Sequence, residues 1–172
     1  MTVFRNRPLP RGVLRGRFEI SANLIDETRL ALTTFYAAGR HEGGHEGICY
    51  WAGHEEPNVT RLETVVTPIA RHGQYGVFVS ESAFADVARR ARSMGLGVLA
   101  QVHSHPGRDT RHSDGDDDLI VMPFENMLSL VAPRYGRFLR AISDFSVHQL
   151  QNHRWVLCDK KSVNASFQTM LP

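Results

Sequence analysis

The 172-residue chain has only two cysteines, Cys49 and Cys158, and no C-x-x-C spacing. Two isolated thiols supply neither a disulfide framework nor a thiolate zinc site, so both are expected to be buried and free in a reducing compartment. Long apolar runs are lacking too. No stretch approaches the roughly 20 residues that span a bilayer, and Arg5, Arg7, Arg11, Arg15 and Arg17 are not followed by the apolar segment of a secretory leader. A cytoplasmic protein with no membrane partner is the expectation. Charge of one sign is equally scarce. The formal net charge of +2 is too small to argue for a nucleic-acid partner, and the arginine clusters Arg89, Arg90, Arg92 and Arg134, Arg137, Arg140 read as solvated faces. Internal repeats and low-complexity segments are absent.

What is present suits one globular domain, because a hydrophobic share of 42% over this length can bury a single substantial core. Residues 1–16 read as a basic N-terminal extension and residues 17–172 as the domain. Phe18-Glu19-Ile20 reads as a short strand. Ser21 is expected to cap a helix whose apolar positions run from Leu24 to Phe35 and which Gly39 ends. Residues 47–53 and 60–69 read as strands joined across Pro57-Asn58, and residues 70–78 as an exposed connection with Gly73 and Gly76. Ser80 and Glu81 open a second helix with Phe84, Val87, Ala88 and Ala91 on its apolar face, ended by Gly95. Residues 127–132 and 146–158 read as further strands. Alternating strands and helices around one sheet give an α/β class.

The chemistry is concentrated in Gln101-Val102-His103-Ser104-His105-Pro106 and the polar loop that leads to Ser113 and Asp116. The preceding run, Gly97 to Val102, is short, apolar and β-branched, the signature of a buried strand. Side chains two apart on a strand share a face, so His103 and His105 can lean toward one ion. Pro106-Gly107 stops the strand and turns the chain back. Two histidines, a hydroxyl and a carboxylate at this spacing can build a catalytic zinc site, since three protein ligands leave a fourth tetrahedral position for water.

The pattern H-x-H-x7-S-x-x-D resembles the signature of the JAB/MPN metalloprotease family, the JAMM motif. That family also has an upstream glutamate before a small apolar stretch ending in glycine. Glu46 to Gly53 matches it, with Cys49 and Trp51 where a glycine and a leucine are usual. The resemblance spans about residues 17 to 159 and implies a single-domain mixed β-sheet flanked by helices, with cytidine-deaminase-like topology. It implies Zn2+ held by His103, His105 and Asp116, Glu46 as general base and then general acid, and Ser113 as hydrogen-bond donor to the oxyanion. A nucleophilic Ser113 is the weaker reading, for no activating base is evident. The implied reaction is zinc-dependent hydrolysis of the amide or isopeptide bond after the C-terminal glycine of a ubiquitin-like or sulfur-carrier protein. Compact prokaryotic members of the family work beside E1- or E2-like proteins in conjugation, sulfur-transfer or antiviral pathways. The alternative is a non-catalytic MPN-type scaffold, against which the full set of motif residues argues.

Three decoys compete with this reading. His41-Glu42-Gly43-Gly44-His45 spells H-E-x-x-H, which works only on a helix, and its paired glycines argue for a loop. Asp114, Asp116, Asp118 and Glu125 fall at places of a calcium-binding loop, but Leu119 stands where that loop needs glycine; Asp117 and Asp118 read instead as charges at the start of a helix over residues 119–122. A zinc deaminase needs H-x-E and P-C-x-x-C, and neither is present.

Overall fold

The computed structural model describes residues 9–171. Its secondary structure comprises β1 (Arg11–Gly12), β2 (Phe18–Ile20), α1 (Leu24–Ala38), β3 (Ile48–Glu56), β4 (Val59–Val66), β5 (Arg71–Gly73), β6 (Gly76–Phe78), α2 (Glu81–Ser93), β7 (Gly97–Ser104), α3 (Asp114–Leu119), β8 (Leu128–Ala132), β9 (Ser146–Gln151), β10 (Arg154–Cys158), α4 (Lys160–Ser166) and β11 (Phe167–Thr169). Nine strands form one mixed sheet in the order β1-β10-β9-β8-β7-β3-β4-β2-β11, and β5 and β6 form a separate hairpin. The α/β class holds.

Strand β7 lies in the middle of that sheet, parallel to β8 on one side and antiparallel to β3 on the other. Both of its edges are paired, which suits its apolar sequence. Alternation along β3 divides the core. Cys49 and Trp51 pack with Leu24 and Leu32 of α1, whereas Ile48, Tyr50 and Ala52 pack with Phe84, Val87 and Ala91 of α2. The two long helices therefore cover opposite faces. Trp51, unusual at its place in the motif, is fully buried, and its indole N–H donates to Thr28 Oγ1 at 2.8 Å. Gly53 sits at an irregularity where β3 shifts register against β4. A Cβ there would overlap the Arg61 carbonyl oxygen, so no other residue fits without moving the strand.

Several boundaries differ from the sequence reading. Ser21 does not cap α1: the N-cap is Asn23, and the Ser21 hydroxyl donates to the Glu63 carbonyl. Residues 71–78, read as an exposed connection, are mostly exposed but are ordered as the β5–β6 hairpin. Of the stretch read as an N-terminal extension, residues 1–8 lie outside the described residues, while β1 pairs with β10 and Leu14 is buried in the core. Both cysteines are buried and free. No described helix is long and apolar enough to cross a membrane.

Candidate metal centre and active site

The end of β7 delivers His103, and the residue just past the strand is His105. His103 is fully buried, and His105 follows the strand with its N–H donating to the Ala132 carbonyl at 2.9 Å. Ser104, between them, points the other way and ties β7 to the glutamate segment. Its N–H donates to the Gly47 carbonyl at 3.0 Å, and its Oγ accepts from the Gly47 N–H at 2.9 Å. Sequence reasoning missed Ser104, although a small polar residue flanked by two same-face histidines must face inward and find a partner there.

The carboxylate arrives on α3. Ser113 is its N-cap, and with Asp116 it forms a capping box: Ser113 Oγ accepts from the Asp116 N–H at 3.3 Å, and Asp116 Oδ2 accepts from the Ser113 N–H at 2.6 Å. The S-x-x-D spacing of the motif is thus also a helix-start signal. That corrects the expected helix start. The helix begins at Asp114 and ends at Leu119, so Asp117 and Asp118 lie in its second half, not at its N-terminus.

Three ligand atoms converge. His103 Nε2 lies 3.2 Å from His105 Nε2 and 3.1 Å from Asp116 Oδ1, and His105 Nε2 lies 3.3 Å from Asp116 Oδ2. Among the described residues these three form the single group of His, Cys, Asp or Glu whose ligand atoms come together in this way. Atoms each about 2.0–2.1 Å from one tetrahedral cation lie roughly 3.3 Å apart, so the spacing fits. The tautomer fits as well. His105 Nδ1 donates to the Asp109 carbonyl at 2.7 Å, which turns the lone pair of Nε2 toward the cluster.

Electrostatics separate the carboxylates. Burial works against the charge on Asp116, yet His103 and His105 beside it hold it well below the usual carboxylate range. Burial likewise opposes a charged His105, but the bond and charge of Asp116 raise its pKa. Glu46 is 8% exposed, and burial pushes its carboxyl up to about 7, against the pull of His105 and with the help of Asp116. Glu46, His105, Ser113 and Asp116 line one open cleft of about 390 Å3, with Tyr75 and Val77 of the β5–β6 region on its wall. A buried carboxyl poised near neutrality beside a cluster able to hold a metal ion suits acid–base hydrolysis.

The decoys come apart. Arg40–Glu42 is a single 3-10 turn, and Gly43 and Gly44 both have left-handed φ, 94° and 108°, so His41 and His45 share no helix face. His45 instead bonds His72 of β5 through Nδ1 and Glu42 through Nε2, each at 2.8 Å. Of the calcium-pattern acids, Asp116 faces the histidines, while Glu125 accepts from the Asn152 and His153 N–H groups of the β9–β10 turn.

The profile of prokaryotic homologs of the JAB domain matches residues 29–142, the span that carries Glu46, both histidines, Ser113 and Asp116. The chain belongs to the Prok-JAB family. A protein of Sinorhizobium fredii named a probable metalloprotease is 36% identical over 98 residues, and the match covers 55% of this chain and 60% of that relative's length. In solved structures, a Desulfitobacterium hafniense protein matches with a TM-score of 0.59 at 11% identity, covering 90% of this chain and 94% of its own. A Salinibacter ruber protein matches with a TM-score of 0.55 at 14% identity, covering 82% and 88%. At these identities the likeness is one of fold.

Proposed function

We propose that this Prok-JAB domain is a zinc-dependent peptidase of the JAMM type. The reading is carried by the convergence of His103, His105 and Asp116, with His105, Asp116 and the buried carboxyl of Glu46 lining one cleft and His103 buried beneath it. His103, His105 and Asp116 would hold the zinc ion, which when bound supplies Lewis acidity and lowers the pKa of water. Glu46 takes the proton from the attacking water and passes it to the leaving amine nitrogen, as base and then acid. Its pKa near neutrality suits both halves of that transfer. The Ser113 oxygen is occupied as acceptor by the Asp116 N–H, while its O–H proton remains to donate to the oxyanion of the tetrahedral intermediate.

The proposed substrate is the C-terminal glycine tail of a ubiquitin-like or sulfur-carrier protein, released from a conjugate or a precursor. Support comes from the hairpin: Gly76 and Val77 of β6 line the cleft that holds His105, so an extended tail could add to that short sheet through backbone bonds. E1- or E2-like proteins are the proposed partners.

The test is hydrolysis of a ubiquitin-like protein fused through its C-terminal glycine to a fluorogenic amine. Zinc-loaded wild type should release the amine, and Glu46→Gln should keep its zinc and lose turnover. An unchanged rate in Glu46→Gln rejects the general base. Cleavage of unrelated peptides at the same rate as the glycine tail rejects the substrate class.

A further inference from the structure

Behind the three ligands lies a second constellation that the peptidase reading leaves unused. His112, 1% exposed, directs Nε2 at Ser129 Oγ of β8 at 2.8 Å and Nδ1 at Asp117 Oδ1 of α3 at 3.0 Å. Carboxylates only accept at neutral pH, so Nδ1 carries the proton and Nε2 accepts from the Ser129 hydroxyl. The ring stacks on His148 at 3.9 Å between centroids and meets the Trp155 ring edge-on at 5.4 Å. His148 is fixed in turn: its Nε2 accepts from the His112 N–H at 3.4 Å, and its Nδ1 donates to the Ser129 carbonyl at 3.2 Å. The order Ser129–His112–Asp117 resembles a nucleophile triad, but Ser129 is fully buried and does not line the cleft that holds His105.

The geometry points to His112 as a positioning residue that sets Asp116 and Ser113 against the two histidines of β7, by riveting α3 to β8. His103 and His105 need no such help, for the ladders of β7 with β8 and β3 place His103, and backbone bonds to Ala132 and Tyr135 place His105 just beyond the strand. Asp116 rides on a helix of six residues, far too short to be stable alone. Its capping box fixes the shape of the first turn and not its location. Location comes from packing against the rest of the fold: Leu119 at its far end is buried with Ile48, Tyr50 and Phe84, and at the near end His112, in the residue just before the N-cap, supplies the polar link. Asp117, the fourth residue of the helix, is its partner, so the pair occupies the two positions of a hydrophobic staple with polar groups.

The inference rests on reading His103, His105 and Asp116 as metal ligands, and its test separates the two. Zinc dissociation constants are measured by chelator competition, and Co2+ visible spectra are recorded, for wild type, Ser129→Ala, His112→Leu and His112→Asn. Supporting partners of metal ligands alter affinity by about 10- to 100-fold. Ser129→Ala and His112→Leu should weaken zinc by about tenfold or more and shift the Co2+ bands. His112→Asn keeps a donor at the δ position for Asp117 and should recover part of that loss. With peptide substrate, kcat should fall while KM holds. Wild-type affinity and Co2+ spectra in both Ser129→Ala and His112→Leu, whatever their melting temperatures, reduce His112 to core packing and overturn the inference. Should His112→Leu not fold, Ser129→Ala, which deletes a single hydroxyl, decides alone. A wild type that binds neither metal overturns the metal-centre reading and this inference with it.

Discussion

Two residues in the cleft carry a tension between stability and chemistry. Glu46 titrates near 4.5 when unfolded and near 7 when folded, because burial penalises its charged form. The folded state therefore binds the proton more tightly, and the stability this group contributes is present below about pH 4.5 and lost as pH rises through about 7. The loss amounts to as much as about 3 kcal/mol at pH 8. Metal-free Glu46→Gln should accordingly melt above metal-free wild type at pH 8, with a gap that shrinks by pH 5; thermal melts in chelator check this. Ser113 carries the second tension, since one hydroxyl caps α3 and faces the cleft. Ser113→Gly separates the two roles. Glycine caps a helix within a few tenths of a kcal/mol of serine, so zinc and melting temperature should hold while kcat falls about 10²- to 10³-fold, the usual effect of removing an oxyanion donor. Loss of zinc in Ser113→Gly, measured by elemental analysis, would make Ser113 a structural residue instead.

At the scale of elements, what was legible in the sequence followed from local rules. The apolar run Gly97 to Val102 identified β7, and the pair His103 and His105 could be placed on one face at its end, because period-two alternation needs no tertiary information. The start of α2 was legible because Ser80 does cap, accepting from the Ala83 N–H. Ser21 misled for a tertiary reason: β4 offers its hydroxyl the Glu63 carbonyl, and α1 starts at Leu24 without a side-chain cap. Glycines at both ends of Gln74-Tyr75 looked like loop residues, yet they are the last and first residues of a closed hairpin. The start of α3 was written in the S-x-x-D spacing, which was read for its metal chemistry alone. The register irregularity at Gly53 could not be read locally at all, because it depends on where the Arg61 carbonyl falls. Gly53→Ala should destabilise by about 1–3 kcal/mol or more, as overpacking against backbone does. Denaturant unfolding measures it, and a midpoint equal to wild type would mean that the two strands part freely.

At the scale of the whole molecule, the site is an agreement among three distant stretches of chain. Glu46 precedes β3, the histidines end β7, and Asp116 stands on α3. The sequence supplied each stretch with its residues, whereas their meeting depends on the ladder between β3 and β7, on the Gly47–Ser104 bonds and on the link from β8 to α3 through His112. An ion that joins two of these elements binds the folded chain and not the unfolded one, so zinc should stabilise the whole protein by mass action. At a thousandfold excess over its dissociation constant the gain is about 4 kcal/mol, or a rise of about 10 °C in melting temperature for a chain of this size. Protons compete for the same atoms. His105 has its pKa raised through Asp116, so protonation of its ring already opposes metal as pH falls toward 6.5. Asp116 stays ionised and adds no competition in that range. The zinc-dependent rise should therefore be full at pH 7.5 and largely gone at pH 5, read by melts with and without zinc at both values. A rise of equal size at pH 5 would place the ion on groups other than these histidines.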